Sequence, residues 1–545
     1  MSGYFLIGLA ILAAYLYRLA YPWPYKGIPY NRRSARRLLG DIPDLIQFVK
    51  EGNDSDQFAL EQCRKLNSPI VQLFFWPFCR PLIFVEDIQQ VESIVCSRGG
   101  EFDRAPSTIT AFRPFVPTSS ILKLTTPEWR AQRRLWKDAM SGDFLRRVVA
   151  RRMYHTSLEL MHLLKTKAVI ADGRPFPVMA DFELATLDVI WSCFLGSELK
   201  GVLNETRGIE RAAGETRQPE AKDEPAEIPA VSRLDVYRAI DYFNMTLEKT
   251  LSSPVPRWHH WLLRQMPMYR KHWAIKEEAI NQLIEAARDG TSRSSEAGSE
   301  RNEHVCALDV MFQRQRQQML ANGQKETAHL VPQTHEEIHD ELLMFVITGH
   351  ESTATTLSWS VKFLTNWPEE QAKLRDALRG ALPSRNPSVE EILRSNVPYL
   401  DALLEECIRL ANVVPRIVRV ATVDTQLSGL PIPKGAQLMC RSQSAGWPGA
   451  AKDAHGGAAL DEFWPDRWLD QAGNFNPAAL PKLGFSAGPR ACFGKAFAMQ
   501  ELRVMLTMLI LRFRLEAVPE GLNSMQSRPR ALRAPRCAYV RLTPL

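Results

Sequence analysis

The sequence predicts a mainly helical protein with a smaller β region, and three observations carry that expectation. The longest pattern in the chain is helical: Thr334 and Glu337 form a capping box, and the pattern runs on to Asn366 and Trp367 before Pro368 stops it. At helical rise that is roughly 50 Å. Strand-like runs are short, 70–75 and 81–85, with a turn between them. Elsewhere helical patterns dominate, and no repeat period suggests a solenoid.

Length and composition narrow the class. A chain of 545 residues fits three or four domains by length alone, but large single-domain enzymes reach this size. The expected division is an N-terminal anchor over 1–21 and one large domain over 22–545. Apolar residues at 45%, charged ones at 24% and a net charge of +7 are ordinary, and imply no nucleic-acid partner. Nine cysteines without a CxxC pair do not form a disulfide framework or a zinc ribbon, which points to a reducing compartment.

The anchor rests on residues 3–17, which carry no charge. They are at the short end for a span and comparable to a signal-peptide core. No basic residue precedes them, whereas Arg18, Lys26, Arg32, Arg33, Arg36 and Arg37 follow, so the positive-inside rule places the body in the cytosol. Pro22, Pro24 and Pro29 make a stiff linker in which Tyr21, Trp23 and Tyr25 can sit at headgroup level. By that topology the sequons at Asn53, Asn204 and Asn244 stay unglycosylated.

Further along, Pro127 opens a helix that sets Trp129 and Arg133 on one face, suited either to an anionic ligand or to a solvated basic face over a buried tryptophan. Segments 215–232 and 290–303 are composed like mobile surface loops. In the long helix, 342–347 is apolar on every face, so it crosses the core, yet 348–353 interrupts it with polar residues. A mid-helix glycine costs about 1 kcal/mol, and buried polar groups need a reason. The functional reading is a gap beside a ligand, with Glu351 and Ser352 handling protons; the plainer one is a water-lined seam.

His335, Glu336 and His339 also form an HExxH pattern with zinc-peptidase spacing. Phe345 stands where an extended zinc site would place its third histidine, and the pattern lies in a charged first turn, so peptidase chemistry is the weaker reading. Glu406 and Arg409 share a helix face, as an ion pair or an ordinary surface pair. Residues 413–420 read as extended, 429–435 as a hairpin-like turn and 445–459 as irregular coil.

Residues 485–494 are the centre of the chain: Cys492 sits on a loop flanked by Gly488 and Gly494, just ahead of a helix from Lys495 to Arg512. A helix N-terminus favours an anion, so a thiolate is expected. The GxSxG elbow around Ser486 lacks the strand and helix flanks that motif needs. The phosphate-loop reading from Gly488 to Lys495 has one residue too many and Ala496 in place of a hydroxyl.

Together these segments resemble the cytochrome P-450 family of haem-thiolate monooxygenases, from the anchor to the last helix. Phe485, Gly488, Arg490, Cys492 and Gly494 match its FxxGxRxCxG, which implies Cys492 as the axial ligand of haem b and Arg490 as a propionate partner. Glu406 and Arg409 match its ExxR, and Arg467 the arginine completing that triad. Trp129 and Arg133 match its WxxxR, again toward a propionate, and Arg419 falls where the family often has another. The long helix matches AGx(D/E)T with Thr348 and Ser352 departing from it and Glu351 kept; a serine lacks the methyl that limits rotation, which puts coupling in question.

The resemblance implies a cytochrome P-450 fold in a single large haem domain, inserting one oxygen of O2 into a lipophilic small molecule in secondary metabolism. Electrons would come from NADPH only indirectly, through a separate flavoprotein reductase docking near Arg130, Arg133, Arg134, Lys137 and Lys495. It implies the endoplasmic reticulum membrane and a fungal source. A haem-thiolate isomerase or dehydratase without O2 activation is the runner-up, opposed by Glu351 and Ser352, and a non-catalytic haem sensor is a further rival. Pocket lining is expected around 104–119 and 241–261, including Phe112, Phe115 and Phe243.

Overall fold

A computed structural model describes the chain except at positions 1, 213, 215–216, 252, 254, 290–305, 323–332, 444–458 and 529–531. The loop read at 290–303 therefore lies outside the described residues, as does nearly all of the coil read at 445–459.

The long helix is His335–Asn366, 32 residues, and its capping box forms as the sequence requires. Thr334 accepts from the Glu337 amide at 3.1 Å, and the Glu337 carboxylate accepts from the Thr334 amide at 3.2 Å. Pro368 opens the next helix, Pro368–Ala381, directly after the stop. Met179–Leu195, here the crossing helix, packs along the middle of the long helix and is itself buried almost throughout. The cysteine helix, Lys495–Arg512, contributes Leu502, Val504, Met505, Leu506 and Leu509 to the same core.

Among the described residues ten short strands complete the fold: β1 (Ile70–Leu73), β2 (Leu82–Val85), β3 (Phe102–Arg104), β4 (Phe176–Pro177), β5 (Arg416–Ala421), β6 (Thr425–Leu427), β7 (Leu430–Ile432), β8 (Gln437–Arg441), β9 (Phe513–Glu516) and β10 (Tyr539–Pro544). The larger sheet has the order β1-β2-β8-β5-β3, antiparallel except between β2 and β8. β1 and β2 are the two short runs read from the sequence, but the middle strand, β8, comes from far along the chain. A second sheet runs β4-β10-β9.

Four expectations change. The turn read across 429–435 is instead centred on Ser428 and Gly429, both at positive φ (48° and 78°), with β7 following at once. The segment 215–232 is docked where described: the Ala226 amide donates to Pro175 at 2.8 Å, Arg174 reaches Pro219 at 2.6 Å, and Arg541 reaches Asp223 at 2.7 Å. Its charges find partners in Asp172, ahead of β4, for Lys222 and in Arg541 of β10 for Asp223, which a composition reading cannot see. Gly349 lies at a helix crossing, where a Cβ would come 2.9 Å from the Cδ1 end of the Ile190 side chain, which would have to shift to admit it. Finally, the expected membrane span is not found: among the described residues no helix is long and apolar enough to cross a membrane. The N-terminal helix Ser2–Ala20 carries Arg18 in its last turn.

Candidate active site

The loop before the cysteine helix is held from two sides. The Cys492 amide donates to Phe485 at 2.8 Å, closing the loop on itself. Gly488 has φ +69°, and a Cβ there would fall 2.0 Å from the Val95 carbonyl oxygen, so only glycine fits. Gly494 needs no such freedom; it faces open space, with nothing within 4 Å of where a Cβ would be.

Cys492 is exposed, yet burial is the largest influence on its thiol and pushes its pKa up. Both hold if the open face looks into an internal space rather than into bulk water. The Gly494 amide, Arg133 and Lys495 pull in the opposite direction. The expected thiolate is therefore not secured by the helix terminus alone, and a coordinated metal would have to hold the thiol deprotonated.

The long helix supplies the opposite wall. It is buried along most of its length, but Phe345, Thr348 and Ser352 are not fully covered. Their spacing of three and seven puts them on one stripe. Phe345 stacks on Phe493 at 6.0 Å between ring centroids, so this stripe faces the cysteine loop. Ser352 lies on it, with its hydroxyl donating to the Thr348 carbonyl at 2.7 Å and its lone pairs left as acceptors. Glu351 is half-buried, a third of a turn away. Thr353 is buried and back-bonded to Gly349 at 3.1 Å, on another face.

Four arginines gather beside this space. Pro127–Leu135, the tryptophan helix, presents Trp129 and Arg133; Arg490 lies 3.9 Å over the Trp129 ring and Arg133 4.1 Å over Phe493. Arg419 on β5 stands directly opposite Arg104 on β3. Burial lowers the pKa of all four, to about 9 for Arg104 and about 10 for Arg490, and mutual repulsion adds to it for those two. Asp103 acts as a counter-charge on Arg104, Arg419 and Arg490, and Glu341 on Arg133. The Nε of Arg104 and the Nη1 of Arg490 are buried without a protein partner.

A site with uncompensated positive charge, two orphaned guanidinium donors and an open thiol face fits a haem, whose propionates bring two negative charges. Arg104 was not singled out by the sequence. No motif marks it; only its register opposite Arg419 does, and that depends on a strand pairing across more than three hundred residues.

The triad is built as expected, and Glu406 with Arg409 is no surface pair. Glu406 is fully buried and accepts from Arg409 twice at 2.8 Å, from Arg467 at 3.0 Å, from the Trp468 indole at 2.9 Å and from the Trp464 amide at 3.0 Å. The HExxH pattern gathers no metal site: His335 pairs with Asn281 at 2.8 Å, and His339 faces Glu277 at 3.3 Å and Asp340 at 3.4 Å. Among the described residues no cluster of His, Cys, Asp and Glu is placed to hold a metal ion.

A cysteine loop facing a long central helix, with an arginine cluster between, defines a haem-thiolate protein. The family model described as Cytochrome P450 matches residues 43–540, and the chain belongs to that family. It is similar to the cytochrome P450 monooxygenase GME11363 of Pestalotiopsis microspora, 30% identical with 99% of this chain and 98% of that one covered. Monooxygenase TRI13 of Fusarium sporotrichioides is 28% identical, covering 98% of each chain. Monooxygenase xilC of Penicillium crustosum is also 28% identical, covering 94% of this chain and 91% of its own. A crystal structure of a cytochrome P450 (CYP102L1) superposes with a TM-score of 0.67 over 91% of this chain and 95% of that one at 17% identity, which shows the fold. The protein is a haem-thiolate monooxygenase, an oxidoreductase whose haem iron is held by a cysteine thiolate and whose electrons come from NADPH through a reductase.

Proposed function

We propose that Cys492 is the axial ligand and that Arg104, Arg133, Arg419 and Arg490, with Trp129, hold the haem carboxylates. The observation that carries this is the arginine cluster with its two unpartnered buried donors beside the open face of Cys492. When bound, the haem activates dioxygen, and an axial thiolate favours O–O cleavage. The chain's own contribution is placement. Phe485 and Gly494 shape the loop and leave room beside the sulfur, and Glu406, Arg409 and Arg467 fix the segment before it. Ser352, on the stripe facing the loop, accepts a water or substrate hydrogen bond, and Glu351 beside it exchanges protons with solvent.

The substrate we infer is a lipophilic small molecule. Phe115 packs edge-on against Phe243 at 5.0 Å and His260 at 4.6 Å, so the two segments expected to line the pocket meet in a buried aromatic cluster. A role in fungal secondary metabolism is supported by the fungal relatives.

The anchor over 1–21 and a cytosolic position of the domain over 22–545 at the endoplasmic reticulum belong to the same proposal. Besides the N-terminal helix, whose Tyr4, Ile7 and Ile11 are exposed, a second apolar surface supports membrane contact: Trp258, Trp261, Leu262, Met266 and Met268 are all exposed. Beside them Trp261, Arg264, Arg270 and Trp273 line a surface pocket of about 410 Å³. Aromatic and basic side chains together suit a headgroup layer.

The deciding experiment is the reduced carbon-monoxide difference spectrum of the wild type and of Cys492→Ala. A thiolate-type Soret shift is expected in the first and its loss in the second; a wild type without it overturns the reading. Glu351→Gln and Ser352→Ala should lower product formed per reductant consumed, and Ser352→Thr should raise it. Unchanged coupling removes both residues from the mechanism.

A further inference from the structure

The carboxylates at the start of the long helix take no part in the chemistry described so far, and they are unusually occupied. Glu341, buried at 3% exposure, accepts from the Ser119 hydroxyl at 2.9 Å, the Ser120 amide at 2.8 Å, the Ser120 hydroxyl at 2.5 Å and Gln132 at 3.4 Å. Asp340 accepts from the Thr118 amide at 2.8 Å and its hydroxyl at 2.7 Å. Glu337 pairs with Lys123 at 2.9 Å. Three acids on one helix thus grip residues 118–123, the strap that leads into the tryptophan helix.

The far end of the strap meets the arginine cluster. Arg490 donates through Nη2 to the Lys123 carbonyl and through Nε to the Thr125 hydroxyl at 2.9 Å. Thr125 is itself tied to Asp103, through its amide at 2.9 Å and its hydroxyl at 2.7 Å. With Nε and Nη2 spent on the strap, Nη1 is the nitrogen left over, buried and without a partner. Gln132, the fourth donor to Glu341, immediately precedes Arg133 on the tryptophan helix.

We propose that Glu341 is a positioning residue for the anion-binding arginines: its carboxylate pins the strap 118–125 to the long helix, and the strap in turn orients Arg490 and Arg133. The proposal rests on the reading that these arginines hold the haem carboxylates. It makes one buried carboxylate the mechanical link between the helix that carries Glu351 and Ser352 and the arginine cluster. A glutamate suits the task because it offers acceptors only, and it meets four donors, three from the strap and one from Gln132. Glutamine keeps the shape but removes the charge and turns one acceptor oxygen into a donor, which disturbs the Ser120 hydroxyl bond if it stands at Oε1 and the Ser119, Ser120 amide and Gln132 bonds if it stands at Oε2.

The test uses full-length holoenzyme. In Glu341→Gln, haem transfer to apomyoglobin should accelerate at least fivefold, and amide exchange of residues 116–126 should quicken by a similar factor. Ser119→Ala with Ser120→Ala, which removes the two hydroxyl donors and leaves the charge, should reproduce both effects in part. A role confined to folding would instead lower the denaturation midpoint while the folded fraction kept wild-type haem transfer and exchange, which overturns the proposal. Faster haem loss without faster exchange in the strap also overturns it, because the effect would then be the lost charge acting on Arg133 directly. Arg490→Leu, with the strap acids intact, tests the underlying reading. Haem retained in Arg490→Leu counts against propionate binding, whereas haem retained in Glu341→Gln alone counts against the strap.

Discussion

Replacing Glu406 by alanine removes one carboxylate that accepts five hydrogen bonds, four of them from the side chains of Arg409, Arg467 and Trp468 and one from the Trp464 backbone. Both guanidiniums are buried, Arg409 at 7% and Arg467 at 1% exposure. Removing one partner of a buried ion pair costs about 3–5 kcal/mol because the other charge stays behind. Here two cations stay behind, which argues for the upper end. Each also keeps a carbonyl, Leu460 for Arg409 and Ala459 for Arg467, which argues for the lower. A loss of about 4 kcal/mol is the balance, a large share of the ~5–15 kcal/mol that holds a typical domain folded. Glu406→Gln keeps the volume and one acceptor oxygen, so it should cost less, on the order of 2–3 kcal/mol. Urea unfolding followed by far-UV circular dichroism measures both. An alanine variant within about 1 kcal/mol of wild type, or a glutamine variant worse than alanine, would refute the claim that the charge network is what holds residues 459–468 in place.

Gly488→Ala should fail to incorporate haem, since its Cβ would overlap the Val95 carbonyl at 2.0 Å and its φ of +69° is left-handed; Gly494→Ala should fold with an unchanged thermal midpoint but lose haem, because its Cβ meets no protein atom. Soret absorbance and thermal denaturation of the two separate loop strain from crowding of the haem. Lys362, buried beside Asn523 at 3.2 Å, has its pKa lowered by burial to about 8, against about 10.5 when unfolded. Between those values the unfolded chain binds the extra proton, so this group's cost to stability is full below pH 8 and fades as pH rises toward 10.5. Lys362→Met should therefore be more stable than wild type at pH 7 by up to roughly 3 kcal/mol, with the difference shrinking by pH 10; a difference that does not change with pH would contradict it.

What the sequence made readable is local. The capping box of the long helix, the proline stop, the Glu406 and Arg409 spacing and the cysteine loop all depend on residues within a few positions of one another. Ser352 falls on the cavity stripe for the same reason, since helical periodicity alone sets its angle to Phe345. What escaped is set by pairing at a distance. Arg104 enters the site through the β3–β5 register, and Gly349 meets Ile190 on another helix. The segment 215–232 looks mobile by composition, yet Lys222 pairs with Asp172 and Asp223 with Arg541 of β10. The surface alternative for Glu406 and Arg409 failed because burial comes from Trp464, Arg467 and Trp468, some sixty residues away.

The arginine cluster also bears on how much of this protein a cell can hold. Four cations crowded around one or two carboxylates repel one another in the apoprotein, and anything that binds only the folded state relieves that by RT ln(1 + [L]/Kd). That is about 4 kcal/mol when the free ligand is a thousandfold above its dissociation constant. Folded protein is then a function of haem supply. Chains made when haem is scarce spend more time open to proteases, so abundance should fall and recover with haem availability at constant transcript level.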